Sequence, residues 1–199
     1  MGKLDGKRII VTGGAGGIGN AAVRLFAAEG ARVACTWHGT HPDLPAGVSA
    51  HRCSITDRGS VHAAFDAMAA ELGGLDALVH AAGLHGSTPA SEVTDADWDR
   101  LMDANVKGTA WTNQAAFAQL KAHGGSIVNM GSVEGVRGFA GNAVYAASRG
   151  AVMAWTRSVA LEWAKHRVRV NCVAPAIATE IFRRQCEGLP PEVLAGIAA

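Results

Sequence analysis

The run 11-VTGGAGGIGN-20 leaves an apolar segment, turns through closely spaced glycines and enters a stretch that favours helix. Glycine accepts positive φ and puts no Cβ between the backbone and a ligand, while the first turn of a helix presents free N–H groups and a positive dipole end. Strand, turn and helix together therefore form an anion cradle of the kind that takes a pyrophosphate. Two registers fit. Gly14, Gly16 and Gly19 satisfy G-x-G-x-x-G, while Thr12, Gly13, Gly17 and Gly19, with Ile18 inside the motif, satisfy T-G-x-x-x-G-x-G. Without a ligand the same residues would make a tight strand-to-helix turn.

Such a turn belongs in a sheet wrapped by helices, and the rest of the chain has that rhythm. Short β-rich runs at 8–12, 32–36, 48–51, 77–80, 126–130 and 168–174 alternate with helical stretches at 17–29, 60–72, 98–122 and 144–165. Several of the runs are continuously apolar, as strands covered on both faces are. The expected class is α/β: a Rossmann-type doubly wound parallel sheet of about six strands with helices on both faces. The 199 residues, 49% of them hydrophobic, suit one dinucleotide-binding domain spanning 1–199. Asn105 and Gly108 interrupt the third helical stretch and predict a division into a short helix and a long one.

Charge and cysteine usage narrow the ligand classes. A net charge of +1 with interspersed signs leaves no footprint for nucleic acid or an anionic membrane. Cys35, Cys53, Cys172 and Cys186 show no metal-ligand spacing and read as free thiols, so no metal is expected. No leader and no run of about 18 apolar residues is read in the sequence, so a cytoplasmic location is the expectation.

The end of the second strand selects between dinucleotides, because a carboxylate there accepts from a ribose 2′-hydroxyl and repels a 2′-phosphate. In 32-RVACTWHGTH-41 no carboxylate accompanies Trp37, His38 or Gly39. An imidazole at His38 can assist a 2′-phosphate, or serve as a solvated loop residue. NADP(H) is favoured over NAD(H).

In 145-YAASRG-150 the only tyrosine of the chain stands four residues before Arg149, so phenol and guanidinium share one helix face. A free tyrosine titrates near 10. To ionise near neutrality the phenol needs its pKa lowered by about 3, roughly 4 kcal/mol of preferential stabilisation, for which a neighbouring cation is the simplest source.

These elements together resemble the short-chain dehydrogenase/reductase family over residues 7–179. Thr12 to Gly19 carries the glycine motif, followed in order by 80-HAAG-83, 103-DANVKG-108, 131-GS-132, Tyr145 and 171-NCVAPAIAT-179. The resemblance implies hydride transfer between a nicotinamide and a small-molecule carbonyl or alcohol. It implies Tyr145 as acid/base, Ser132 as the hydrogen-bond donor to the substrate oxygen, and Asn105 as holder of a relay water at a helix break. Arg149 stands where the family has lysine; it keeps the charge but differs in reach and shape, and Arg149→Lys is expected to raise turnover. Cofactor contacts are implied at Thr12, Gly13, Gly17, Ile18, Gly19, Trp37, His38, Ser54, Ile55, Ala82, Gly83, Tyr145, Arg149, Pro175 and Thr179. Ser54 and Ile55 replace an aspartate-led pair that meets adenine, and His80 reads as a packed strand-end histidine.

In this fold the segments 84–95 and 133–144 would line the substrate pocket, offering His85, Glu134 and Arg137 as polar groups and Phe139 as an apolar wall. Glu134 and Arg137 also suit a surface pair or a loop hydrogen bond. Family members generally continue into another helix and a seventh strand, so a partial lid and an exposed sixth strand are expected. The family's helices at 106–122 and 144–165 pack across a two-fold axis, implying a homodimer or higher homo-oligomer. Val152, Trp155, Val159 and Trp163 suit either that interface or the core. A catalytically weak nucleotide-binding protein, acting as cofactor sensor or assembly subunit, is the alternative.

Overall fold

The structure, a computed structural model, describes residues 2–175. Thr179 and the segment 180–185 lie outside the described residues. Six strands form one sheet: β1 (Arg8–Thr12), β2 (Arg32–Trp37), β3 (Ser49–Arg52), β4 (Ala77–His80), β5 (Gly125–Met130) and β6 (Val168–Val173). They run in the order β3-β2-β1-β4-β5-β6, and every neighbouring pair is parallel. All six predicted strands are present, with ends shifted by no more than a residue or so.

The reason is visible in β1, where Ile9, Ile10, Val11 and Thr12 are all buried. Ile9 and Val11 pack with Val23 of α1 (Gly17–Ala28), Val33, Cys35 and Val79 on one face. Ile10 faces the opposite layer, with Phe65 and Met68 of α2 (Arg58–Leu72), Leu120 of α4 (Gly108–Leu120), and Val159 and Trp163 of α6 (Ala143–Trp163). A strand buried on both faces must be apolar at every position, so it reads as a run rather than an alternation.

The stripe on α6 is resolved by the same packing. Val152, Val159 and Trp163 are buried in the chain's own interior, and Trp155 is half-buried with its indole N–H donating to Asn113 Oδ1 at 3.1 Å. Among the described residues β6 pairs with β5 alone, and Val173 at its end is exposed.

The third helical stretch divides into a short helix and a long one, as expected, but through a widened turn and not a break. A short helix, α3 (Asp95–Leu101), runs into one π-turn (Met102–Lys107) and then directly into α4, without leaving helical geometry. Gly108 does not interrupt it. A Cβ there would lie 2.9 Å from Ile55 Cδ1, so glycine is the residue that lets the loop after β3 press on the helix. A four-residue helix, α5 (Glu134–Arg137), was not expected, being too short to show a periodic pattern.

The amino ends of β1 and β4 are locked by one ion pair. Asp76 accepts from Arg8 N, Nε and Nη2 at 2.9, 2.9 and 2.8 Å. Those bonds, led by the guanidinium, hold the Asp76 carboxyl down at about 2. A carboxylate depressed in the fold stabilises it above its ordinary pKa and loses that effect as pH falls through the folded value. Asp76→Asn is therefore expected to lower stability by about 2 kcal/mol at pH 7. Urea unfolding of the two proteins should converge as pH falls toward 2.

Candidate active site

All six strands end on the same side of the sheet, and the predicted site residues gather there because parallel strands deliver their following loops to one edge. β1 is flanked by β2 and β4, so the chain leaves β1 at the point where the strand order reverses.

The glycine turn is shaped by contact rather than by flexibility alone. Gly13 has φ 71°, and a Cβ on it would lie 2.9 Å from Ala82 Cα. A Cβ on Gly19 would collide outright with the carbonyl oxygen of Gly13. By contrast, a Cβ on Gly16 would meet nothing closer than 3.4 Å. Gly14 is restricted too, since a Cβ there would lie 2.5 Å from Cys35 Sγ, so sterics hold positions of both registers, and α1 begins at Gly17. Ile18 follows, half-buried in the first turn.

Thr12 ties this turn to the end of β4. Its Oγ1 accepts from Ala82 N at 3.2 Å and lies 2.9 Å from His80 Nδ1. Thr112 Oγ1, 3.0 Å from the same nitrogen, has its own proton engaged with the carbonyl of Gly108. The ring proton therefore belongs on Nδ1, leaving Nε2 as a buried acceptor with no partner. Burial first, and the charge of Arg149 second, push the His80 pKa down to about 3. His80 is thus the packed strand-end histidine its position suggested.

Beyond it, Gly83 leaves the space in which two other site residues meet. A Cβ on Gly83 would lie 2.8 Å from both Arg149 Nη2 and Asn105 Oδ1. Asn105, wholly buried in the π-turn, accepts from Leu84 N at 2.8 Å and donates to Leu84 O at 2.9 Å and Ser148 Oγ at 3.0 Å. Its side chain thus clamps the loop after β4 onto α6.

Tyr145 and Arg149 stand one turn apart on α6, as predicted. The guanidinium carbon of Arg149 lies 5.1 Å from the centre of the Tyr145 ring, within cation–π range. Arg149 is buried, with Nη1 donating to Met130 O at 2.9 Å and Nε without a protein partner. Gly135 supports it from behind, since a Cβ there would lie 2.8 Å from Gly150 N and 3.1 Å from Arg149 Cβ. That close contact seats α5, and with it the loop of Ser132, against α6. Ser132 Oγ accepts from Glu134 N at 3.1 Å, which leaves the serine proton free to be donated.

On the other side of the phenol, the His85 ring is centred 4.5 Å from that of Tyr145. Glu134 does not pair with Arg137; its carboxylate accepts from Asn142 Nδ2 at 2.9 Å, the loop bond of the two expected possibilities. Phe139 is exposed beside this segment.

At the adenosine end, Trp37 is half-buried and His38 exposed. The guanidinium of Arg52 lies 6.0 Å from the Trp37 ring, bringing a cation to the end of β2 from the strand beside it. Ser54 N donates to Ser60 Oγ, and its hydroxyl meets that of Thr56 at 3.0 Å, while Ile55 packs on Gly108. Pro175, at the end of the described residues, is half-buried.

Comparison with known proteins agrees with this geometry. The family model for short chain dehydrogenases matches residues 7–188. This chain belongs to the short-chain dehydrogenase family. It is 41% identical over 194 residues to (5R,7aS)-5-hydroxy-7a-methyl-1-oxo-2,3,5,6,7,7a-hexahydro-1H-indene-carboxyl-CoA reductase of Mycobacterium tuberculosis, covering 91% of this chain and 74% of that one. It is 37% identical to D-threitol dehydrogenase of Mycolicibacterium smegmatis, covering 94% and 76%. The crystal structure of gox2181 matches with a TM-score of 0.87 at 33% identity, covering 98% of this chain and 80% of that one.

As a short-chain dehydrogenase the chain is an oxidoreductase, and the family works with NAD(H) or NADP(H). The residues present fit such a cofactor: the cradle at Gly13 and Gly19 admits no Cβ, and a buried N–H of Arg149 is left to donate. Arg52, Gly135 and Asn142 were missed in the sequence. Asn142 precedes α6, where asparagine ordinarily caps the helix. It makes no such bond, and a cap residue whose side chain is used elsewhere can be recognised only once its partners are in place.

A histidine buried in neutral form destabilises the fold as pH drops below its unfolded value, because only the unfolded chain takes the proton. For His80 that window runs from about 6.5 down to about 3. Between pH 7 and pH 5 the chain should lose about 2 kcal/mol more stability than His80→Asn, whose amide does not titrate. Denaturant unfolding at the two pH values checks this; parallel losses in the two proteins would refute it.

Proposed function

We propose that this short-chain dehydrogenase interconverts a ketone and a secondary alcohol, with NADP(H) favoured over NAD(H). The observation that carries this reading is the grouping at the ends of β4 and β5: a phenol against a buried guanidinium, and a serine hydroxyl whose proton is uncommitted. The names of the two mycobacterial relatives, a reductase and a polyol dehydrogenase, support the same reaction class.

A bound nicotinamide supplies or accepts the hydride. The chain's own work is to orient the substrate and move a proton. Ser132 Oγ, held by the Glu134 amide, donates to the substrate oxygen. Tyr145 gives that oxygen a proton on reduction and takes one on oxidation. Arg149 keeps a positive charge beside the phenol during either transfer, and its Nε–H, which has no protein partner, would be available to a bound cofactor. Asn105 holds the π-turn and the loop after β4 together, so that Ala82 and Gly83 would meet the cofactor with their backbone, and a water bound at that turn would complete a relay to Tyr145.

Support for the NADP(H) preference comes from the end of β2, where no carboxylate accompanies Trp37 and His38 and where Arg52 approaches the indole. A 2′-phosphate would find the Arg52 guanidinium there and no carboxylate at Trp37 or His38 to repel it.

Titration with NADPH and with NADH, followed by nicotinamide fluorescence, tests the cofactor assignment, with NADPH expected to bind about tenfold or more tightly. Tyr145→Phe should retain that binding and lose at least about a hundredfold in kcat with a responsive ketone. Binding of NADPH with no oxidation of it across ketones and aldehydes would instead mark a non-catalytic nucleotide binder.

Arg149→Lys keeps the positive charge but replaces a planar fork with a compact ammonium, the group the family has at this position. Turnover at saturating cofactor is expected to rise, by about severalfold. A fall would show that the guanidinium bond to Met130 O is what positions the site.

A further inference from the structure

Beside Tyr145 stands a polar group that neither the hydride nor the proton transfer uses. Asn142 is buried, and its side-chain nitrogen has two hydrogens. One goes to Glu134 Oε2 at 2.9 Å; the other points to His85 Nε2, 3.4 Å away. The amide thus bridges a carboxylate two residues past Ser132 and an imidazole whose ring lies against that of Tyr145, tilted by 58°.

This arrangement dictates what each group has left to offer. Because Nε2 of His85 faces an N–H, it is the acceptor, and the ring proton sits on Nδ1. A neutral ring is also what its surroundings favour: burial against the phenol, with the charges of Arg149 and Arg100, lowers its pKa against the opposing pull of Glu134. Among the described residues Nδ1 has no partner, and neither does Glu134 Oε1. The site therefore presents one free donor, on the ring that lies against Tyr145, and one free acceptor, on the residue whose amide donates to Ser132 Oγ.

We propose that His85 and Glu134 form a subsite for a hydroxyl on the carbon next to the reacting carbonyl, so that the substrates are α-hydroxy ketones and the corresponding vicinal diols. This subsite rests on the reductase reading. A hydroxyl satisfies both partners at once, accepting from Nδ1–H and donating to the carboxylate. A methyl or methylene in the same place leaves both unpaired, and the carboxylate of an α-keto acid is repelled by Glu134. In the reductive direction the carbonyl carbon takes a hydride from the reduced nicotinamide and the oxygen takes a proton from Tyr145. The neighbouring C–OH is unchanged, and the product is a 1,2-diol. His85 and Glu134 position the substrate and transfer no proton.

Butan-2-one and 1-hydroxypropan-2-one differ by a methyl against a hydroxyl at nearly equal size, and kcat/KM for both with NADPH gives a selectivity ratio. The intact chain should favour the hydroxy ketone. His85→Phe, which keeps an aromatic ring beside Tyr145, should reduce the ratio about tenfold, the worth of one hydrogen bond. His85→Gln, which restores an N–H, should recover most of it. Glu134→Gln tests the acceptor independently and should also lower the ratio. Comparing ratios between variants cancels the intrinsic reactivity of the two ketones, and NADPH titration of each variant confirms that it is folded. Ratios unchanged in both His85→Phe and Glu134→Gln overturn the subsite while leaving the reductase reading intact. Cofactor binding without turnover of either ketone, or of any other carbonyl, overturns the reductase reading and the subsite with it.

Discussion

A buried guanidinium organises this site. Removing a cation from water is costly unless acceptors or an aromatic face meet it, and Arg149 is met by the carbonyl of Met130 and the ring of Tyr145. Its bulk then dictates its neighbours. Gly83 must lack a side chain where Nη2 arrives, and Gly135 must lack one where α5 lies against the backbone of residue 149. Its charge reaches further, adding to burial in keeping His80 and His85 neutral. One side chain of α6 thereby couples the end of β5 to the loops after β4 and β5.

The sheet makes that convergence possible. β1 lies between β2 and β4, so the loops after all three open side by side. The amino ends of β1 and β4 are held by the Arg8–Asp76 pair, a multidentate charge-assisted contact, and their carboxyl ends by the Thr12 hydroxyl on the Ala82 amide. Strand ends fixed at both sides leave the loops little freedom to displace the glycine turn from the site of Tyr145. The neighbouring polar network extends the same logic to the substrate side, where Asn142 bridges His85 and Glu134 instead of capping its helix.

The fold was largely legible in the sequence. Strands covered on both faces cannot alternate polar and apolar residues, so β1, β2 and β4 announce themselves as apolar runs, and a glycine turn between strand and helix has few uses. Tyr145 and Arg149 were legible because i and i+4 share a face whatever surrounds the helix. Other features had no local mark. A π-turn needs no special residue, so the stretch through Asn105 looked like a break rather than a continuous helix with one widened turn. Gly108 looked like a helix breaker because its reason, Ile55, lies 53 positions earlier in the chain. The stripe on α6 fitted core and interface equally, since helical spacing reports an apolar face and not what covers it.

By itself, then, the sequence determined the strands, the anion cradle and the chemical identity of the serine, tyrosine and arginine, because each follows from residues close together along the chain. The tertiary structure alone decided which of their atoms remain available. That Ser132 keeps a proton to donate, that His85 carries its hydrogen on Nδ1 and that Arg149 has an uncommitted N–H are consequences of partners brought together by packing, as when Asn142 reaches His85 across 57 residues of sequence. Hydrogen-bonding capacity is a property of a side chain; what is left of it after folding is a property of its neighbours.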